Sequence, residues 1–159
     1  MTEQPSATPG TLTELEEEFE GIEADAPRVG IVMGSKSDMP EMEKAGKELE
    51  ERGIHHEIRV MSAHRDPDKV ADYAKTARER GLKVLICGAG LSAALPGVVA
   101  AHSDLPVIGV PLTSSTSVAG GLDALLSISQ MPPGVPVACV GVDNARNAAV
   151  LASRILSLD

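Results

Sequence analysis

Val29-Gly30-Ile31-Val32-Met33-Gly34-Ser35-Lys36-Ser37-Asp38, followed by Met39, Met42, Ala45 and Leu49, decides the fold. The first five residues are an apolar run of strand length. The next five are a small, polar turn. The four apolar residues after them recur at helical spacing, and Gly53 stops the pattern, so the reading is a strand over 29–33 and a helix over 38–52. A strand that feeds a helix through a Gly-Ser turn is the opening unit of an α/β protein.

The rest of the body repeats that alternation. A strand over 55–61 leads to a helix over 67–80, opened by Asp66-Pro67 and closed by Gly81. Asp is an N-cap type, and Pro is at home in the first turn. A strand over 83–87 leads through Gly88-Ala89-Gly90 to a helix over 92–102, and a strand over 106–110 leads through Thr113–Gly121 to a short helix over 122–130. A strand over 136–141 and a helix over 144–157 complete the series. Five strands alternating with five helices predict a three-layer α/β sandwich around a parallel sheet. Right-handed crossovers leave few topologies, and the flavodoxin-like strand order 2-1-3-4-5 is the one favoured.

At 159 residues, 43% hydrophobic and 23% charged, the chain reads as one soluble globular domain. The net charge of -9 is local: residues 1–27 hold eight acids and no Lys or Arg, and the remainder is nearly neutral, with 15 acids against 14 bases. The division expected is therefore an acidic extension over 1–27 and a single domain over 28–159. Residues 1–10 read as disordered. Leu12, Leu15, Phe19 and Ile22 mark one face of a helix over 11–23, with Thr11 and Glu14 spaced as a capping box. No basic footprint for nucleic acid is present, and 1% aromatic content leaves no stacking platform. No apolar stretch reaches the roughly 18–20 residues of a membrane span, and no leader pattern opens the chain. Cys87 and Cys139 sit in apolar predicted strands without metal-type spacing, which predicts reduced core thiols and a cytoplasmic protein.

Ligands of open parallel sheets bind outside the carboxyl ends of the strands. Two polar clusters fall there. Gly34-Ser35-Lys36-Ser37-Asp38 is neither a Walker loop nor a dinucleotide fingerprint, but it offers hydroxyls and backbone N–H groups at a helix start, which suits a phosphate. Asp38 either caps the helix or accepts from ribose hydroxyls. Ser62-Ala63-His64-Arg65 offers an imidazole that can give and take a proton and a guanidinium matched to phosphate. Two small-residue loops, Gly88-Ala89-Gly90-Leu91-Ser92-Ala93-Ala94-Leu95-Pro96-Gly97 and Thr113–Gly121, belong to the same edge. Such loops admit a ligand close to the backbone. His55 and His56 point to opposite faces of a strand and are not a metal pair. His102 near Asp104 reads as structural. No metal site is expected.

Taken in order, Gly34–Asp38, Ser62–Arg65, Gly88–Gly90, Leu95–Gly97, Pro106–Pro111, Gln130–Pro136 and the Ala-rich helix over 144–156 resemble the PurE family of purine biosynthesis over residues 28–158. The resemblance implies a flavodoxin-like subunit in a homo-octamer. It implies an enzyme that moves a carboxyl group onto carbon 4 of a 5-aminoimidazole ribonucleotide, with no cofactor. His64 matches the family's proton shuttle. Ser35, Ser37, Asp38, Ser62 and Arg65 match its nucleotide-binding positions, and Gly34, Ala63, Gly88, Ala89, Gly90, Ser92 and Leu95 complete the expected substrate contacts. Two patterns are mixed. The bacterial mutase branch reads Gly-Ala-Gly-Gly-Ala-Ala-His-Leu-Pro-Gly in the third loop, whereas this chain carries Ala94 in place of the His. The direct-carboxylase branch carries a Ser-containing loop there, but ends its second motif in Lys rather than Arg65. The preferred expectation is N5-carboxyaminoimidazole ribonucleotide mutase. The alternatives are direct carboxylation of aminoimidazole ribonucleotide, a relative acting on another nucleotide such as a pyridinium-dicarboxylate synthase, and a nucleotide-binding module without catalysis.

Overall fold

A computed structural model describes residues 26–158. The readings of residues 1–10 and of a helix over 11–23 fall outside the described residues. Five parallel strands form one sheet: β1 (Val29–Met33), β2 (His56–Val60), β3 (Val84–Gly90), β4 (Val107–Leu112) and β5 (Ala138–Cys139), in the order β2-β1-β3-β4-β5. The strand order is the one expected. β1 is hydrogen-bonded on both sides, with Ile31 opposite Ile58 on one neighbour and Ile86 on the other.

The alternation of side chains along each strand divides the core in two. Val29, Ile31, Met33, Val84, Ile86, Ile108 and Val110 face α1 (Met39–Glu51) and α5 (Ala145–Leu156). Val32, Leu85, Cys87 and Val107 face α2 (Pro67–Thr76), α3 (Leu95–His102) and α4 (Leu122–Ser129). Strands covered on both faces need no polar side, so β1, β3 and β4 are apolar throughout and almost entirely buried. With scarcely an aromatic available, close approach fills the space. Ala145, Ala148, Ala149 and Ala152 are fully buried along α5. Between α5 and α1 the buried Glu48 takes Arg52 at 3.0 Å and Arg146 at 3.2 Å.

Several boundaries differ from the expected ones, the helix from Pro67 ending at Thr76 rather than 80 and β4 running to Leu112 rather than 110, and three others have a clear local reason. β3 runs on through Gly88, Ala89 and Gly90, which pair with Val110, Pro111 and Leu112 of β4. The glycines are therefore strand and not loop. α3 begins at Leu95, not Ser92, because Leu91 takes a left-handed φ of 56° and Ala93 N–H closes a tight turn onto Leu91 C=O at 2.9 Å. β5 is two residues long, where a strand over 136–141 is expected. It lies at the sheet edge between Pro136 and an isolated bond from Val140 N–H to Gly109 C=O, and Pro cannot donate to a ladder.

Two capping and burial details also differ. Asp66 occupies the N-cap position of α2 without a side-chain capping bond. Cys87 is fully buried, which pushes its thiol well above the usual range, but Cys139 is only half-buried. No helix among the described residues is long and apolar enough to cross a membrane.

Candidate active site

The segments that follow β1, β2, β3 and β4 meet at the carboxyl edge of the sheet and enclose a cleft of ≈ 480 Å³. Gly34, Ser35, Ser37, Asp38, Ser62, Ala63, His64, Arg65, Ala89, Gly90, Ser92 and Leu95 all line it. Twelve of the thirteen residues expected from the sequence are thus brought together. The exception is Gly88. It lies inside β3, where a Cβ would collide with Met42 Sδ and lie 3.0 Å from Leu112 Cδ1. Its hydrogen side chain serves the packing of α1 on the sheet, and it is absent from the cleft lining.

The first wall is shaped by its own hydroxyls. Lys36–Asp38 form a single 3-10 turn ahead of α1, so the expected helix start at Asp38 is split in two. Ser35 caps that turn: its Oγ accepts from Ser37 N–H at 3.3 Å and lies 2.9 Å from Ser37 Oγ. Asp38 holds the N-cap position of α1 but makes no side-chain cap bond, which leaves its carboxylate to the cleft. Burial raises the Asp38 pKa, against a smaller opposing pull from the Ser35 backbone. A half-buried carboxylate with spare acceptor capacity suits neutral donors such as sugar hydroxyls.

The second wall is built around Ser62. Its Oγ accepts from Arg65 N–H at 3.3 Å, and its carbonyl accepts from Asp66 N–H at 2.9 Å. This tight turn presents His64 and Arg65 side by side, both exposed on the cleft. Neither side chain has an ion pair or hydrogen bond among the described residues, so both are available to a ligand.

The third wall is apolar apart from the exposed Ser92. Ala89, Ala93 and Leu95 are buried in it, and Leu91 projects at 45% exposure. A left-handed backbone on a residue with a Cβ costs roughly 1–2 kcal/mol.

Thr113 and Ser114 form a fourth boundary. The sequence places their loop at this edge but does not single them out. Both Thr113 N–H and Thr113 Oγ1–H donate to the Asp143 carboxylate, the former at 2.9 Å, and Asp143 N–H donates back to Pro111 C=O at 2.8 Å. Asp143 itself is left-handed, at φ 51°. The signal was the Asp143-Asn144 pair ahead of α5, since both residue types tolerate that conformation. Among the described residues no three His, Cys, Asp or Glu side chains converge as a metal site.

The arrangement can bind an anion at Arg65 and the Ser35–Ser37 turn, accept hydroxyl donors at Asp38, and transfer a proton at His64 beside an apolar wall. Known proteins resemble the chain over most of its length. N5-carboxyaminoimidazole ribonucleotide mutase of Thermotoga maritima is 58% identical over 132 residues, which cover 83% of this chain and 76% of that protein. Phosphoribosylaminoimidazole carboxylase of Schizosaccharomyces pombe is 53% identical over 133 residues, 84% of this chain but 24% of that longer protein. The crystal structure of Treponema denticola PurE superposes with a TM-score of 0.72 at 38% identity, over 83% of this chain and 81% of that one. The AIR carboxylase family model matches residues 28–159, and with the relatives above it shows that the chain belongs to the AIR carboxylase, or PurE, family.

Proposed function

We propose that the chain is an N5-carboxyaminoimidazole ribonucleotide mutase of purine biosynthesis, with residues 28–159 as its catalytic domain and His64 as its proton shuttle. The observation that carries this reading is the single cleft that gathers His64 and Arg65 after β2, the Ser35-Ser37-Asp38 turn after β1 and the apolar segment after β3. Arg65 and the two serines hold the substrate phosphate, and Asp38 takes ribose hydroxyls. In the first half-reaction the bond from N5 to the carboxyl carbon breaks. Its electron pair stays on nitrogen, which takes a proton from the His64 imidazolium. In the second half, carbon 4 attacks the freed carbon dioxide. Its proton passes to the imidazole, now neutral, and the starting state of His64 returns. One group serves both transfers, so the position of Ala94 needs no second imidazole. The aminoimidazole is itself the electron-rich nucleophile, and the chemistry calls for no cofactor.

The alternative is direct carboxylation of aminoimidazole ribonucleotide, the activity named for the Schizosaccharomyces pombe relative. Ser92 in the third wall favours it, because its hydroxyl and the neighbouring backbone N–H groups could hold carbon dioxide arriving from solvent. The two readings separate by labelling. Unlabelled carbamate is turned over in labelled bicarbonate without carbonic anhydrase, and early product is analysed. A mutase gives product with little label. Product labelled to the level of the bulk pool, with aminoimidazole ribonucleotide accepted at a comparable rate, establishes the carboxylase. Failure to bind either nucleotide leaves the non-catalytic module.

Arg65→Lys is expected to raise the nucleotide dissociation constant about tenfold, because an ammonium keeps the charge but loses the two-pronged geometry that fits a phosphate. An unchanged constant by calorimetry removes Arg65 from the phosphate site. The same reading places the protein in the cytoplasm as a homo-octamer. In support, Val118, Leu122 and Leu126 stay exposed along α4 and the turn before it. Exposed leucines and a valine grouped on one short helix and its approach mark a contact surface. Light scattering at micromolar concentration is expected to give a species larger than a dimer, and a monomer would remove the assembly from the proposal.

A further inference from the structure

Leu91 is the one large apolar residue of the cleft lining that remains exposed, and it holds a left-handed backbone at φ 56°. The turn it makes is a backbone device, closed by the bond from Ala93 N–H to Leu91 C=O. Gly or Asn adopts that conformation more readily than Leu. The leucine is thus present against the local backbone preference, and its side chain points to a task at the cleft rather than to packing. A strained residue at a site motivates a functional hypothesis of this kind.

The segment after β3 gives the cleft its apolar lining. Ala89, Ala93, Ala94 and Leu95 belong to it with Leu91, and Ser92 is its one polar side chain, while Ser35, Ser37, Asp38 and Arg65 belong to the other segments. The nucleotide's phosphate and hydroxyls match the polar side. Carbon dioxide is uncharged and apolar, and the third wall is the surface it matches. Ala89, Ala93 and Leu95 are already buried, the last two at 2% exposure each. Leu91 is the large apolar member with surface left to bury.

We propose that Leu91 is a hydrophobic cover over the freed carbon dioxide. With nucleotide bound, its side chain closes the apolar wall and keeps the gas from bulk water until carbon 4 captures it. The proposal rests on the mutase reading above, since a direct carboxylase has no released carbon dioxide to retain. If the cover fails, carbon dioxide escapes after the bond to N5 has broken. Aminoimidazole ribonucleotide then leaves with the proton received from His64, and the imidazole recovers its proton from solvent.

The test compares Leu91→Asn, Leu91→Gly and Leu91→Met with wild type. Asn and Gly keep the left-handed turn and remove the apolar cover, and Met retains an apolar side chain. Each enzyme is given unlabelled carbamate in labelled bicarbonate without carbonic anhydrase. Aminoimidazole ribonucleotide released per C4-carboxylated product is measured above the enzyme-free background, together with early label and thermal midpoint. Release is expected to rise about tenfold in the Asn and Gly variants, on the scale of losing a leucine-sized apolar contact. Their thermal midpoints are expected at or above that of wild type, because backbone strain is relieved. Leu91→Met is expected to partition close to wild type. Unchanged partition in the Asn and Gly variants overturns the proposal, as does equal leakage from the Met variant or loss of folding in both Asn and Gly variants. Wild-type product labelled to the bulk level is a different result. It sinks the mutase reading first, and the cover with it.

Discussion

Asparagine at position 64 is expected to leave a protein that folds and binds nucleotide but does not turn over. Asn preserves a planar polar side chain of similar reach, yet it can neither supply the proton that N5 needs nor remove the one on carbon 4. Positioned general acid–base catalysis contributes typically about 10²–10⁴-fold per transfer, and here one residue serves two. The loss should therefore lie at or beyond the upper end of that range in kcat. His64 is exposed, and its side chain makes no hydrogen bond or ion pair among the described residues, so its replacement should not move the thermal midpoint. Binding by calorimetry should survive, because the phosphate contacts belong to Arg65 and the Ser35–Ser37 turn. Activity within tenfold of wild type would take the shuttle role away from His64. Lost binding with intact folding would instead make it a binding residue.

The sequence was most legible where a periodicity and a turn signal coincide. β1, the strand order and the gathering of the first two polar clusters follow from apolar runs ended by Gly-Ser, Ser-Ala or Gly, and the structure places them as read, with α1 there too but starting at Met39 behind a 3-10 turn. It was least legible where a tertiary partner decides. Gly88-Ala89-Gly90 reads locally as a loop because glycine is a poor strand former. Only the adjacent β4, which offers Val110 to Leu112 as partners, extends the strand. The opposite error occurs at β5. Its residues read as a full strand, but an edge with one neighbour and a proline at position 136 sustains only two paired residues. Thr113 and Asp143 meet although 30 positions apart, a pairing that no local spacing encodes. Leu91 was visible in the third loop, but its left-handed backbone was not, since leucine is the wrong residue from which to infer one.

Gly88 is where the sequence and the structure assign different work to one residue, and a pair of substitutions decides between them. As a substrate contact, Gly88→Ala should weaken nucleotide binding and leave stability alone. As a packing position, it should do the reverse. The added methyl meets Met42 Sδ, and Met42 is fully buried in α1 on the face that covers β1 and β3. Overpacking of this kind costs about 1–3 kcal/mol. Met42→Ala alone should cost more, about 2–5 kcal/mol, because it empties a buried site. In the double variant the methyl added at position 88 enters the space that Met42 vacates, so the protein should be less destabilised than the sum of the two. Residues in contact show coupling of about 0.5–3 kcal/mol in such cycles. Denaturant unfolding of the four proteins measures the coupling, and calorimetry on the folded Gly88→Ala protein should return the wild-type nucleotide constant. Additive stabilities combined with a weakened constant would return Gly88 to the substrate site. The structure speaks for the packing role, because the neighbours that a Cβ would meet at Gly88 are Met42 and Leu112, both buried on the α1 side of the sheet.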